Sequence, residues 1–152
     1  MTWTATAHRP LLERAFGGAT ALDAVDLLVV LWAEDATIAP SVDHTVLSSL
    51  DPGSNELVNA DYDRQTVAGG PDWDSPLAEA TMDSVDFGTL TAEHVDQGVI
   101  GFTVCAKVGD GTVDADQVLL VTFESDTPVD LTGGSFTVAM PSSLLATIGQ
   151  AP

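Results

Sequence analysis

Three histidines, one cysteine and a surplus of carboxylates make up the chemical repertoire of this chain, and their spacing assigns it little chemistry. His8, His44 and His94 lie far apart in loop-like or terminal segments and read as solvated surface side chains. Cys105 sits in Gly101-Phe-Thr-Val-Cys105-Ala-Lys107, a strand-like run, and reads as a buried, inert thiol. A single cysteine excludes an internal disulfide and any multi-cysteine zinc centre. There is no Gly-x-Ser-x-Gly elbow, no Walker loop and no His-Glu-x-x-His pair. With 23 Asp and Glu, neighbouring carboxylates are expected by accident and do not point to general acid–base work. Calcium is worth weighing because it takes several oxygen ligands. Asp110-Gly-Thr-Val-Asp114-Ala-Asp116 and Asp61-Tyr-Asp63 gather acids in loop-like segments, but both lack the central glycine and closing glutamate of a calcium loop and read as solvated turns. The sequence therefore predicts no enzyme, no cofactor and no tightly held metal.

The charge balance says more. Against those 23 acids stand 4 Lys and Arg, a formal net charge of -19 on 152 residues, yet 45% of the chain is hydrophobic. Disorder needs low hydrophobicity as well as high charge, so the expectation is a folded domain with a negative skin. Such a surface repels nucleic acid and anionic lipid, because binding either depends on cations displacing counterions. A halophilic source would also account for the acid, as a matter of habitat. No charged start followed by an apolar core marks a signal peptide, and the longest apolar run, Leu27 to Ala33, is too short to span a bilayer. A soluble compartment is the expectation.

The elements follow from patterning. The chain reads as one domain, 1–152, with 1–9 as an extended N-terminal arm. Pro10 to Phe16 before Gly17-Gly18 predicts a short helix. Asp26 to Ala33 predicts a strand buried on both faces. Glu34 to Gly70 reads mostly as loop, with a helical turn over His44 to Leu50 ended by Asp51-Pro52-Gly53, and a short strand over Arg64 to Val67. Strands are predicted at Ala80 to Gly88, at Val99 to Val108 with a turn at Asp110-Gly111-Thr112, and at Val118 to Glu124, ended by Ser125 to Pro128. Ser135 to Met140 follows a turn at Gly133-Gly134, and Leu144 to Ile148 closes the chain. Five to seven strands and one brief helix define an all-β sandwich or barrel-like single domain.

The order of these segments resembles a family of small structural proteins encoded in the virion gene clusters of tailed phages. The opening Met1-Thr-Trp-Thr-Ala-Thr-Ala7 with Leu11 to Gly17 is similar to the family's start, and Leu22 to Leu31 resembles its "IKVALL" strand. Ile38 to His44 resembles a "TPD-HD" loop, and Tyr62 to Gly70 a "YxRQT" element before Gly-Gly. Ala80 to Phe87 resembles "DADDVTW", with Phe87 in place of the usual Trp. Gly98 to Phe123 is similar to the family's hairpin, and Gly133 to Ile148 to its closing segment, where Pro141 departs from the pattern.

The resemblance implies no catalytic residues. It implies a bacteriophage virion structural protein, foremost a capsid decoration protein on the outer surface of the major capsid shell. Its partners would be the major capsid protein and neighbouring copies of itself, as a homo-oligomer on the shell, after production in the host cytoplasm. A tail-fibre or baseplate accessory domain is the alternative within the virion. A carbohydrate-binding module is the alternative of another class, but it needs Trp3, Trp32 and Trp73 as an exposed platform. Trp32 lies in the apolar strand and reads as core, and Trp73 in Asp72-Trp73-Asp74 reads as packed over a strand edge. For partner contact the charge map selects Trp3, Arg9 and Arg14. Two of the four cations lie here, and the first twelve residues hold no Asp or Glu. The arm either adds a strand to a partner's sheet edge or folds back on its own domain.

Overall fold

A computed structural model describes residues 2–11, 25–68, 72–74, 79–81, 84–90, 98–131 and 135–138. The fold is all-β. Its main sheet takes five antiparallel strands in the order β1 (Trp3–Ala7), β8 (Val118–Asp130), β7 (Gly98–Ala106), β2 (Leu27–Ala33), β3 (Gln65–Val67). Two further strand pairs are β4 (Asp72–Asp74) with β5 (Glu79–Thr81), and β6 (Val85–Thr89) with β9 (Ser135–Val138). The main sheet is open, ending on β1 at one side and β3 at the other, and no barrel closes among the described residues.

Strand β2 is apolar at every position because both faces of the sheet are covered. Leu27, Val29 and Leu31 join Phe102, Val104, Val121 and Phe123 in one cluster, which Val85 and Phe87 of β6 and Val138 of β9 cover as a second layer. The aromatic rings there are close: Phe102 stacks on Phe123 at 4.7 Å, and Phe87 lies between Tyr62 at 5.9 Å and Phe136 at 6.4 Å. The alternate residues Leu28, Val30 and Trp32 face the other way, with Cys105 and Leu119. Loop residues Ile38, Leu47 and Leu50 cover them.

That loop is held down by short, satisfied links. A 3-10 turn at Leu47–Leu50 leads through Asp51, in the left-handed region at φ 50°, to a single helical turn at Pro52–Asn55. Buried Asn55 accepts from the Thr37 amide at 2.9 Å and donates to the Leu50 carbonyl at 2.9 Å. The Leu47 amide donates to the Gln117 carbonyl, tying the turn to the start of β8.

Two strand expectations are corrected. Ala80 to Gly88 is not one strand but parts of two, β5 and β6, because the first pairs with β4 and the second with β9. Strand β8 does not stop at Ser125. The Ser125 hydroxyl accepts from the Thr127 amide and donates to the Thr127 carbonyl, so the turn signal is absorbed locally. The register with β7 shifts there, from Gly101↔Glu124 to Val99↔Val129, and the strand runs on to Asp130. Of the expected helix, Pro10 and Leu11 are helical, as is Arg9 before it. Its remainder, the Gly133-Gly134 turn and the closing Leu144 to Ile148 segment lie outside the described residues.

Candidate interaction surface

The buried polar groups explain where most of the chain's chemistry goes. His8 is fully buried, which corrects the reading of it as a solvated histidine. It follows β1 directly and lies over the loop-covered face of the sheet. Its Nδ1 is 2.9 Å from the Ser41 carbonyl and its Nε2 2.8 Å from Thr122 Oγ1. Thr122 Oγ1 is 2.8 Å from Thr103 Oγ1, and the Trp32 indole N–H donates to Thr103 Oγ1 at 2.8 Å. The two ends fix the direction of this chain, since an indole N–H only donates and a carbonyl only accepts. Trp32 donates to Thr103, Thr103 to Thr122, and Thr122 to a neutral His8, whose Nδ1–H donates to Ser41. The relay is complete and locks the N-terminal strand to the loop.

Burial lowers the pKa of His8, with a smaller contribution from nearby His44 in the same direction. Protonation would place a second N–H against Thr122 and reverse the hydroxyl chain. The unfolded chain takes up this proton near the ordinary value of about 6.5, before the folded one does. Stability from His8 is therefore complete above about pH 6.5 and is lost as the pH falls toward the lowered native value. Thermal melts at pH 7.5 and about pH 5.5 should show a drop of a few degrees that a His8→Gln variant lacks. An identical pH dependence in both proteins would remove His8 from the account.

Cys105 is buried and its thiol pKa is pushed up by desolvation, so it is not a nucleophile. Among the described residues no group of three His, Cys, Asp or Glu is placed to hold a metal ion. The acids of the 110–116 loop have other uses. Asp110 accepts from the Thr112 amide and hydroxyl, and those bonds lower its pKa. Asp114 lies 2.8 Å from Arg64 Nη1, so it is ion-paired and not merely solvated. Arg64 Nε and Nη2 reach both oxygens of Glu56 at 2.8 and 2.6 Å, and its Nη1 donates to the Gly111 carbonyl at 3.0 Å. Tyr62 donates to Glu56 at 2.9 Å and accepts from the Leu31 amide at 3.1 Å. The guanidinium floor of the adjoining open cleft, about 490 Å³, is thus engaged at all three nitrogens by its own protein. Local sequence gives Arg64 a strand position and no partners; its scarcity among so many acids is the available signal.

Of the expected partner-contact residues, Trp3 opens β1 and Arg9 lies just beyond its end. The arm folds back on its own domain and pairs with β8, from Trp3↔Ser125 to Ala7↔Val121. Asp126 N donates to the Thr2 carbonyl and His8 N donates to the Leu120 carbonyl. In an antiparallel ladder such pairs alternate, so Thr2, Thr4, Thr6 and His8 point their backbone groups at β8. Trp3, Ala5 and Ala7 point theirs away from it, along the outer edge. That edge stops at Arg9, whose amide donates to the Val42 carbonyl at 2.8 Å and whose guanidinium pairs with Asp43. Both side chains of this ion pair are more than half exposed, so it contributes little stability. Trp3 is 42% exposed and lies 5.9 Å from the Phe102 ring, an aromatic half in water at the rim of the sheet. Trp3 and Arg9 thus mark opposite ends of one edge. Trp32 is fully buried and belongs to no surface platform. Arg14, His94 and the Trp73 side chain lie outside the described residues.

No family model matches the chain, and neither does any curated protein or solved structure.

Proposed function

We propose that this protein is a bacteriophage virion structural protein, a decoration protein carried on the outer surface of the major capsid shell. The observation that carries the reading is an acid-coated β-domain whose buried histidine, cysteine and arginine are all committed to its own packing, and whose edge strand β1, with no acid of its own, presents a half-exposed tryptophan. Such a domain is built to adhere, not to catalyse. The segments that carry the resemblance to phage virion proteins supply strands β1, β2, β3, β6, β7, β8 and β9 or the loops that position them, and Phe87, at the family's tryptophan position, is in aromatic contact with Tyr62 and Phe136.

Electrostatics supports a location outside the shell. At -19 the domain is a poor lining for a container packed with DNA, whereas mutual repulsion keeps decorated particles dispersed. Neighbouring acidic copies repel, and the shell must offset this through many repeated contacts of modest strength. Added to capsids that lack it, the purified protein should bind saturably, with a copy number set by the shell lattice. Saturation at a few copies per particle would move it to the tail or portal, and binding to a glycan array with no binding to capsids would favour a carbohydrate-binding module.

A further inference from the structure

We propose that the outer edge of β1 is a homotypic docking site, at which two copies pair β1 antiparallel to β1 about a two-fold axis through Ala5. This goes beyond the capsid reading and does not depend on it. Edge strands of soluble β-proteins are normally protected by charge, proline, a bulge or a covering segment. β1 is Trp-Thr-Ala-Thr-Ala, without charge or proline, and it pairs with β8 in unbroken register. On a chain of -19 this is a conspicuous exception, because a second copy is repelled almost everywhere else. A strand with no acid of its own offers two such copies a contact with less repulsion than the acid-rich surface around it.

The register follows from which backbone groups of β1 have no partner among the described residues. Trp3, Ala5 and Ala7 direct N–H and C=O outward, while the Arg9 amide is already taken by Val42, which ends the usable edge. Only a pairing centred on Ala5 uses all three residues of both copies. Ala5 then faces Ala5 of the second copy, and Trp3 faces Ala7, each pair exchanging two backbone hydrogen bonds. Trp3, Ala5 and Ala7 share the face of the aromatic cluster, so the large indole lies over the small Ala7 of its neighbour, beside Phe102. On the opposite face Thr4 meets Thr6, a favourable cross-strand pair. The result joins two five-stranded sheets into one continuous sheet. Acids lie close by: Glu124 stands opposite Thr4 on β8 and Asp126 binds the Thr2 amide, so salt should strengthen the pairing by screening them.

Sedimentation equilibrium on the full chain at low and high salt tests this. The expected result is a monomer–dimer equilibrium that tightens with salt. Ala5→Pro removes an outward N–H that the protein's own sheet does not use, a position where an edge strand accepts proline. It should weaken the dimer about thirtyfold, through two lost hydrogen bonds per dimer, while the melting temperature of the monomer holds. Should that variant fold poorly, cysteine scanning tests the same register. Under mild oxidation Ala5→Cys should form a disulfide-linked dimer, and Thr4→Cys, held too far from its own copy in this register, should not. The proposal is overturned by a monomer at every concentration reached, by a dimer that Ala5→Pro leaves intact, by a dimer that salt weakens, or by slow hydrogen exchange at Ala5 in the monomer, which would mean that the chain covers its own edge.

Discussion

Replacing Arg64 with alanine should lower stability by about 3–5 kcal/mol, or roughly 10 °C in melting temperature for a chain of this size. The guanidinium is the centre of a largely buried network, with its side chain 18% exposed and that of Glu56 15%. Its pKa is raised, first by the hydrogen bonds to Glu56 and then by those to Asp114, so it is charged whenever the protein is folded. Truncation leaves the Glu56 carboxylate, among the described residues, facing only Tyr62, leaves Asp114 without its cation, and releases the Gly111 carbonyl. The loop before β3 then loses its tie to the β7–β8 turn. Arg64→Lys should recover only part of the loss, because an ammonium cannot form a fork across Glu56 while also reaching Asp114. Urea unfolding measures both. A loss below about 1 kcal/mol for Arg64→Ala would mean that the network is solvated and peripheral.

The second large effect is expected at Gly101, in the centre of β7. A methyl group there would run into the Phe123 carbonyl oxygen and crowd the Glu124 Cα, both backbone atoms of the neighbouring strand. No rotamer change relieves that contact, so β7 and β8 must separate locally. The cost falls on the longest pairing in the sheet, just where its register shifts between Val99 and Gly101. Gly101→Ala should destabilise by about 3 kcal/mol, toward the upper end for overpacking. Gly88 has open space around it, but its φ of 71° makes substitution there a milder, conformational penalty. Equal unfolding midpoints for Gly101→Ala and the unsubstituted protein would show that the strands are not this close.

Local pattern reveals the strands and misses the polar links between them. Leu27 to Ala33 is legible because seven apolar residues in succession have no solvated face, and they are buried accordingly. The alternation of Thr4 and Thr6 with Trp3, Ala5 and Ala7 likewise marks an extended segment. What pairs with it is not legible, since an edge strand can complete its own sheet or a partner's with the same residues. His8 illustrates the difficulty. A histidine beside Arg9 and Pro10 reads as surface, and only the fold brings Ser41 and Thr122, from distant parts of the chain, to its two nitrogens. Arg64 and Asp114 are separated in the same way. Ser125 to Pro128 misleads because turn-forming residues within a long strand are used for a bulge instead of an end.

The place of β1 in the main sheet also changes how surface binding is dissected. Deleting Met1 to Ala7 would strip the edge from β8 and confound folding with docking. Substitutions that alter only the outward side of β1, such as Ala5→Pro, separate the two. The most direct measurement is a cryo-electron microscopy reconstruction of the purified particle that carries this protein. The proposed function predicts density for the acidic β-domain on the outer surface of the shell, repeated with the capsid lattice. Density for it at a single vertex, along the tail, or inside the shell against the packaged DNA would contradict that claim.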